Sequence, residues 1–426
     1  MKNEIYSALL EDYTVPIRDA LWGHIYLTPS LAALTESSLF LRLNRIMQLG
    51  PTCRVYPGAT HTRASHSIGV YHLARRLLIH LAEKGADQWL SGGGVRSFLC
   101  AALLHDLGHF PYTHSLKELP LEEHEVLTGK LILGEPLKRL VAKAGGDPDF
   151  AAAIVDSSLP GRKEDEAELH FYRKLLSGSL DPDKLDYLCR DARYCGVPYG
   201  VQDVDFILSR LYPQSDRGVD IDSRGITAVE SLLFSKYLMY RTIYWHRAVR
   251  SATAMVKKAL YKGLEKNCIT GAELYNLDDQ GLFNLASHRA HPLFSLIDMV
   301  KDGRLFVTAA EIPFDEKVHA KLVSLSNRSR IEQELAPEFS LLFKTNLRED
   351  ALIIDLPEPV SFESGLFITD ENCFFSAGSS VMKDSLVASL VKSLRIIRIF
   401  MDPRFEGELK LNREGILKIT QKWLNL

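Results

Sequence analysis

The chain lacks any apolar run that approaches the roughly 20 residues needed to cross a lipid bilayer. Its first residues, MKNEIYSALLEDY, are acidic and contain no hydrophobic segment of the kind found in secretory signal peptides. These two absences argue against a membrane-spanning or secreted protein. We therefore expect a cytoplasmic protein with no membrane association.

An excess of positive charge is also lacking. The 54 Asp and Glu residues outnumber the 51 Lys and Arg residues, which gives a formal net charge of -3. Because no global basic field is present, we do not expect long nucleic acid to be a partner. The six cysteines form no C-x-x-C pair, and this pattern predicts reduced, buried cysteines rather than a disulfide framework.

What the chain does contain is helical periodicity. In the segment SIGVYHLARRLLIHLAEKG, Ile68, Leu73, Leu77 and Leu81 recur at the spacing of one helix face. The segment VRSFLCAALLHDLG is apolar nearly all round, which predicts a central buried helix. Residues from about 35 to 265 therefore read as successive helices.

Other patterns complete the predicted architecture. The segment GVDIDSRGIT predicts a small hairpin with Arg224 and Gly225 at its turn, followed by one long helix over about 227–263. After about residue 270, short β-like runs alternate with helices near 315–326 and 380–393. We predict a mainly α fold, with a multi-helix core over 1–265 and a smaller mixed α/β region over 266–426.

A cluster of histidines and carboxylates carries the functional argument. His105 and Asp106 end the most apolar helix, where buried polar side chains need partners. A divalent ion satisfies both, because it accepts an imidazole nitrogen and a carboxylate oxygen as ligands. His66 at the start of its own helix and Asp183 in DPDKLDY complete a candidate set. Two histidines and two carboxylates suit iron, manganese, zinc, nickel or magnesium alike.

Basic and aromatic residues accompany this set. Arg63 precedes His66 by three residues, and Lys184 follows Asp183 directly. Tyr187 and Asp191 lie about one and two helical turns beyond Asp183, so we expect them on its face. Basic side chains beside metal ligands favour a phosphate-bearing substrate, since a cation alone does not need them.

These motifs closely resemble those of the HD-domain phosphohydrolases, and within them the deoxynucleoside triphosphate (dNTP) triphosphohydrolase branch. The resemblance covers about residues 15–260, with motif order and spacing retained. The segments that carry it are IRDALWGHIYLT, RLNRIMQLG, VYPGATHTRASHSIGVYHLA, ALLHDLGHFPYTHSL, EEHEV, SGSLDPDKLDYLCRDARYCGVPYG and MYRTIYWHRAVR.

The resemblance implies a role for each matching residue. Four match the metal ligands of the family: His66, His105, Asp106 and Asp183. Four match residues that grip the phosphates: Arg63, Lys184, Tyr187 and Arg241. The cluster around the scissile phosphate corresponds to His109, His114 and His124, with His114 as proton donor. Gln48 and Leu49 match residues that face the sugar and base, and Asp191 matches the one that bonds the sugar 3′-hydroxyl.

The implied reaction splits a dNTP into a deoxynucleoside and inorganic triphosphate. The implied cofactor is a divalent transition metal (Fe, Mn, Zn or Ni), magnesium, or both. Relatives form dimers or larger assemblies, so a homo-oligomer, dimer or tetramer, is also implied.

Three departures from the family pattern bear on activity. Lys117 stands where the family has a carboxylate that orients the catalytic histidines, and we expect its charge to lower their pKa. The neighbouring Glu118 points about 100° away on a helix and is not a simple substitute. Ala64 and Ser65 replace the usual Phe-Glu pair. Val249 stands where animal relatives have a tyrosine against the sugar.

Two other functions remain open from the sequence. One is an HD-type phosphoesterase or nuclease acting on nucleoside monophosphates, cyclic nucleotides or single-strand ends. The other is a nucleotide-binding protein without turnover, which Lys117 keeps in consideration. Lys184, Tyr187 and Arg241 favour the triphosphohydrolase, because a monoester or diester needs fewer cationic contacts.

Overall fold

The computed structural model describes residues 2–289, 291–362 and 365–424. Within these ranges the chain is mainly helical and carries three small sheets, which confirms the predicted fold class. The helices are α1 (Lys2–Leu10), α2 (Pro29–Thr35), α3 (Ser38–Arg42), α4 (Arg63–Glu83), α5 (Gly92–Leu104), α6 (His124–Leu133), α7 (Leu137–Lys143), α8 (Pro148–Val155), α9 (Glu166–Leu176), α10 (Pro182–Cys195), α11 (Val204–Ser209), α12 (Ile226–Met239), α13 (Arg247–Glu265), α14 (Gly271–Tyr275), α15 (Asp279–Ser287), α16 (Ser295–Lys301), α17 (Glu316–His319), α18 (Leu325–Phe343), α19 (Asp384–Leu394), α20 (Glu406–Leu411) and α21 (Arg413–Leu424). The strands are β1 (Val15–Asp19), β2 (Gly23–Leu27), β3 (Leu211–Gln214), β4 (Gly218–Ile221), β5 (Val307–Pro313), β6 (Leu352–Asp355), β7 (Phe367–Ile368), β8 (Cys373–Phe374) and β9 (Ile396–Met401).

Helices α4, α5 and α10 form the frame of the functional site. Helix α4 packs against both α5 and α10. Residues Ser97–Leu104 of α5 are all buried, as its apolar sequence predicts. Because α5 ends inside the protein, the polar residues that follow it are also placed in the interior, where they need partners.

Gly69 allows α4 and α10 to approach each other closely. A Cβ atom at this position would lie 2.0 Å from Asp186 Oδ1 and 2.4 Å from Arg190 Nη2. Both of those residues are buried and hydrogen-bonded to each other, so neither has room to move aside. The missing side chain at Gly69 is therefore what lets Asp186 reach the adjacent turn of α4.

The predicted single helix over 227–263 is wrong. The segment forms two helices, α12 and α13, joined by a π-helical turn over Tyr240–Tyr244 and a break at Trp245. His246 begins the second helix, and its Nδ1 accepts a hydrogen bond from the backbone N–H of Ala248 at 3.3 Å. Apolar periodicity did not reveal the break, because both sides carry buried apolar residues, although those of α12 and those of α13 belong to different hydrophobic clusters. Such π-turns are frequent at functional sites.

A small hairpin is present, but its predicted turn is misplaced. Strands β3 and β4 pair in antiparallel fashion, so the turn lies at residues 215–217. Ser223–Gly225 instead forms a 3₁₀ turn that leads into α12. Strand β4 also pairs in parallel with β7 through Ile221 and Ile368, so strands from both sides of residue 265 share one sheet.

The C-terminal part contains a second sheet and a long helix. The sheet has the order β5-β9-β6, and its pairs are antiparallel. Helix α18 packs on β6 and on α21. The helix predicted near 315–326 is only the short α17 and a 3₁₀ turn, and the longer α18 that follows was not predicted.

Near the N-terminus, the expectation of successive helices from about residue 35 needs correction, and one element was missed. The segment SSLFLRLNRIMQL forms only the short α3 and a 3₁₀ turn over Leu43–Arg45 before the chain extends at Ile46. The hairpin of β1 and β2 was not predicted at all. Among the described residues, no helix is both long and apolar enough to traverse a bilayer.

Candidate metal centre and active site

The four predicted metal ligands lie together where α4, α5 and α10 meet. His66 comes from the first turn of α4, His105 and Asp106 follow the end of α5, and Asp183 lies in the first turn of α10. His66 Nε2 is 2.9 Å from Asp183 Oδ1 and 4.0 Å from Asp106 Oδ2. His105 Nε2 is 3.3 Å from Asp106 Oδ1 and 3.7 Å from Asp183 Oδ1. His66, His105 and Asp183 place ligand atoms within 4.8 Å of one another, and Asp106 borders this group and is itself grouped with His109 and His124.

The ring nitrogens are arranged for metal binding. His66 Nδ1 lies 2.8 Å from Asp186 Oδ2, and His105 Nδ1 lies 3.0 Å from the carbonyl oxygen of Ala102. Because both partners are acceptors, each Nδ1 carries a proton, and each Nε2 is the nitrogen that faces the carboxylates and would coordinate an ion after losing any proton of its own. His105 Nε2 is buried without a hydrogen-bond partner among the described residues. A divalent ion would satisfy this nitrogen, so the residues present fit a metal.

The charges at this centre also favour a cation. Burial opposes ionisation of Asp183, but the nearby His105 imidazole and the hydrogen bond with His66 outweigh it and hold the pKa of Asp183 well below its usual value. Burial lowers the pKa of His66, but hydrogen bonds to Asp183 and Asp186 outweigh that effect and raise it to about 10. Asp183 is therefore ionised at neutral pH and available as an anionic ligand.

Asp186 fixes the orientation of His66 and was missed in the sequence. Its carboxylate accepts hydrogen bonds from Arg190 Nε at 2.8 Å, Arg190 Nη2 at 2.9 Å and Trp22 Nε1 at 2.5 Å. Arg190 Nη1 also donates to Asp19 Oδ2 at 2.8 Å. The i, i+4 spacing of Asp186 and Arg190 could have indicated an ion pair. The participation of the β1–β2 hairpin could not have been read from local sequence.

We expect Asp186→Asn to weaken metal binding by about 10- to 100-fold, as is typical when the partner of a ligating histidine is changed. The reason is that the amide is a weaker acceptor for the Nδ1 proton of His66. Metal titration of the purified variant measures the effect. Asp19→Asn is the matched control, because it removes the other carboxylate of Arg190 without touching His66. Equal metal affinity in both variants would show that Asp186 only stabilises the fold.

Three histidines stack beside the candidate metal centre. The ring centroids of His109 and His124 are 3.9 Å apart with an interplanar angle of 20°. His114 meets His109 edge-on at 4.6 Å and His124 at 5.3 Å. His109 Nε2 lies 3.0 Å from Asp106 Oδ1, but without the in-line geometry of a hydrogen bond. Of the three side chains, that of His114 is open to solvent.

Burial and nearby cations keep these imidazoles neutral. Burial is the largest cause of the lowered pKa of His109, followed by the charge of Arg63. His114 is exposed at its surface, but desolvation by the protein atoms around its ring, followed by the charge of Arg63, lowers its pKa in the same direction. The charge of Lys117 lowers the pKa of His114 and His124 further, in the direction that the sequence predicts. A neutral imidazole can accept a hydrogen bond from a substrate. It can also take up a proton when a bound anion stabilises the resulting positive charge.

The carboxylates near Lys117 are arranged as follows. Glu118 is turned toward Lys257 and Arg328, so it does not replace the family carboxylate beside the histidines. Glu125, which the sequence did not single out, places Oε2 3.0 Å from His124 Nδ1. Its position directly after His124 in EEHEV was the available signal.

Arg63 and Lys184 lie at the candidate metal centre. Arg63 is buried, and its Nη1 donates to Asp106 Oδ2 at 2.7 Å. Lys184 Nζ bonds Asp181 Oδ2 at 2.7 Å and the carbonyl oxygen of Gly178 at 2.8 Å. Asp181 caps α10 by accepting from the backbone N–H of Lys184. Both predicted phosphate ligands are thus held by carboxylates next to the metal ligands.

A second polar group lies further along α10. Asp191 is buried, with Oδ1 2.7 Å from His61 Nε2 and Oδ2 accepting from Tyr244 Oη at 2.6 Å. The ring of Tyr187 lies 6.4 Å from that of Tyr244 in an edge-on arrangement. The sequence had not paired Asp191 with His61 or Tyr244, because all three come from different segments.

Gln48, Leu49 and Arg241 complete the predicted substrate contacts. The backbone N–H of Gln48 donates to the carbonyl oxygen of His61 at 3.0 Å, and Leu49 is partly buried against the core. Gln48 Oε1 is buried without a hydrogen-bond partner within the described part of the chain. Arg241 lies on the π-turn, is exposed, and donates from Nη1 to Tyr237 Oη at 2.6 Å.

Comparison with known proteins agrees with this arrangement. Residues 63–171 match the HD domain family, and residues 203–397 match the family described as HD associated region. The chain therefore contains an HD domain followed by an HD associated region, which confirms the HD-domain resemblance read from the motifs.

Two relatives show how similar the sequence is to individual proteins. The chain is 37% identical over 225 residues to the uncharacterised protein YwfO of Bacillus subtilis, covering 52% of this chain and 49% of that protein. It is 28% identical over 285 residues to the human deoxynucleoside triphosphate triphosphohydrolase SAMHD1, covering 60% of this chain and 46% of that protein. The chain thus spans about half the length of these relatives.

A solved structure shows the same fold. A hypothetical protein from Aquifex aeolicus superposes with a TM-score of 0.70 at 23% identity, over 93% of this chain and 99% of that one. The architecture described above is therefore shared over nearly the whole length of both chains.

Proposed function

We propose that this protein is a metal-dependent phosphohydrolase that splits dNTPs into a deoxynucleoside and inorganic triphosphate. The observation that carries the proposal is the position of Asp106. This residue lies among the candidate metal ligands, 3.0 Å from the nearest nitrogen of the histidine cluster, and it binds Arg63. The similarity to a protein named as a dNTP triphosphohydrolase supports the choice of substrate.

A bound divalent ion would supply Lewis-acid polarisation of a phosphoryl oxygen and a lowered pKa for water. Arg63 and Lys184 would neutralise charge on the phosphate oxygens. Arg63 Nε is buried without a hydrogen-bond partner among the described residues, so its N–H is available to a phosphate oxygen. His114 is accessible and would hold the proton that passes to the departing 5′-oxygen.

Residues on α10 and near Gln48 would recognise the nucleoside. Gln48 Oε1 is a buried acceptor without a donor among the described residues, which a sugar hydroxyl or base amino group would provide. Asp191 already has one hydrogen bond to each oxygen, but each oxygen can accept a second. A 3′-hydroxyl can therefore join this group without breaking it. We also propose that this protein forms a homo-oligomer, a dimer or a tetramer, as its family does.

The test is a product analysis. Protein reconstituted with Fe²⁺, Mn²⁺, Zn²⁺, Ni²⁺ or Mg²⁺ is incubated with each dNTP and each ribonucleoside triphosphate. We expect deoxynucleoside and triphosphate as products. Orthophosphate or a nucleoside monophosphate would replace the proposal with a different phosphoesterase activity.

A second reading has one specific observation in its favour. Lys117 adds positive charge beside His114 and Glu118 is turned away from it, so the proton donor lacks an orienting carboxylate at the family position. Binding without turnover is the function that this arrangement would support. Tight dNTP binding with no product under any of the five metals would establish that reading.

A further inference from the structure

The segment that carries His114 is anchored by two cations, Lys257 from the core and Arg328 from the C-terminal part of the chain. His114 lies in a 3₁₀ turn over Thr113–Leu116, and Glu118 follows two residues later. Glu118 Oε1 accepts from Arg328 on α18, and its Oε2 accepts from Lys257 on α13. Both cations are buried, with 1% and 3% of their surface exposed. The two oxygens of one carboxylate are thus held by two different helices.

These ion pairs continue beyond Glu118. Lys257 Nζ also bonds Glu358 Oε1 at 2.7 Å, and Glu358 Oε2 lies 3.2 Å from Arg250 Nη1. Arg250 in turn forms a two-point contact with Asp355, with distances of 2.8 and 2.6 Å. We call the series Arg328–Glu118–Lys257–Glu358–Arg250–Asp355 the ion-pair chain. It contains three cations and three carboxylates, so its formal charge is balanced.

The ion-pair chain joins two sides of the proposed substrate site. At one end it holds the segment with His114. At the other end Arg250 lies in the first turn of α13, directly after the π-turn that carries Arg241 and Tyr244. The two carboxylates at this end of the ion-pair chain come from the C-terminal part, where Asp355 ends β6 and Glu358 follows it.

Stability alone is a weak explanation for this network. Burying several charges is expensive, and apolar side chains of similar size often stabilise a core as well or better. Ion pairs differ from apolar contacts in being directional, and bidentate contacts fix orientation. The apolar anchors in the segment, Leu116 and Leu119, are already buried against residues of α13. The charges therefore add a defined orientation to a segment that is already packed.

We propose that Glu118 is a positioning residue for His114, and that the ion-pair chain makes the C-terminal part of the protein a component of the active site. The expected change in kcat rests on the proposed hydrolase function. The structural content of the proposal, the orientation of the His114 segment, does not depend on which substrate is used.

The test compares Glu118→Gln with Glu332→Gln. Glu332 forms a buried ion pair with Lys258 at 2.8 Å, and this pair links the same two helices, α13 and α18, outside the ion-pair chain. We expect both variants to lower the melting temperature, since each breaks a buried pair. Only Glu118→Gln should lower kcat, by about 10- to 100-fold at similar KM and metal content, because it displaces a reacting group. A matching loss of kcat in Glu332→Gln would overturn the proposal.

Two further measurements keep the test decisive. In Glu118→Gln the buried Arg328 loses its carboxylate partner. The double variant Glu118→Gln/Arg328→Met removes this unpaired charge and should recover the melting temperature without recovering kcat. The rate of deuterium labelling of the backbone amides of residues 113–119, followed by peptide mass spectrometry, needs no turnover. We expect it to rise at least about threefold in Glu118→Gln only, because the segment opens locally more often.

The labelling result separates the two proposals. If the wild type hydrolyses no dNTP but Glu118→Gln labels faster than Glu332→Gln, the proposed function fails and the positioning role stands. If wild type and both variants label equally and share one kcat, the positioning role is overturned whatever the substrate.

Discussion

Asp183→Ala is expected to abolish metal binding and to lower kcat by about a thousandfold or more. The variant removes the carboxylate oxygen that lies 2.9 Å from His66 Nε2 and 3.7 Å from His105 Nε2. Loss of an ion that contributes several kcal/mol of transition-state stabilisation corresponds to a factor of this size, about 10³. Metal content by mass spectrometry and the rise in melting temperature on adding metal both measure the change.

The chain offers a closely matched control for this variant. Helix α8 begins Asp147-Pro148-Asp149, just as α10 begins Asp181-Pro182-Asp183. Asp149 therefore occupies the same helix position as Asp183, but it is exposed. Asp149→Ala should bind metal and turn over substrate like the wild type. Full activity in Asp183→Ala would remove the metal-site assignment.

The second large effect is expected at His114. We expect His114→Gln to lower kcat by about 10²- to 10⁴-fold, the usual contribution of a positioned general acid. Metal content should stay unchanged, because His114 is not among the four candidate ligands. Steady-state kinetics with a dNTP and metal analysis of the same sample measure the two outcomes.

The leaving group provides a specific check on the role of His114. A 5′-thio dNTP analogue leaves as a thiolate, which departs without a proton because thiols have a pKa near 8.5 rather than that of an alcohol. The defect of His114→Gln should therefore shrink with this analogue. An equal defect on both substrates would assign His114 to binding rather than proton transfer. His170→Gln, at an exposed position, is the control for loss of an imidazole.

Helices with a strong apolar pattern were well predicted from sequence. Helix α4 lies where its apolar stripe indicated, because a packed helix repeats its buried face every three to four residues, and α5 is buried as its nearly uniform apolar sequence indicated. The same rule failed over 227–263. There the periodicity runs through a π-turn, which adds one residue to a helical turn without removing apolar character.

Contacts between distant segments could not be predicted in the same way. The orientation of His66 depends on Asp186, which is itself held by Trp22 from a hairpin 164 residues earlier in the chain. Glu118 is held by Arg328, 210 residues later, on a helix that the sequence did not reveal. Neither pair has a local pattern, since an ion pair between separate elements leaves no periodic trace.

The mainly helical class and the HD-domain resemblance came from the sequence alone, which also predicted the side chains that would carry the chemistry. A candidate ligand such as Asp183 can be proposed in this way because residue type and spacing within a motif are local properties. Only the tertiary structure decided how those side chains are oriented. His66 is turned by Asp186, and Glu118 is drawn away from His114 by Lys257 and Arg328. Orientation depends on contacts across helices, and those form only when the whole chain has packed.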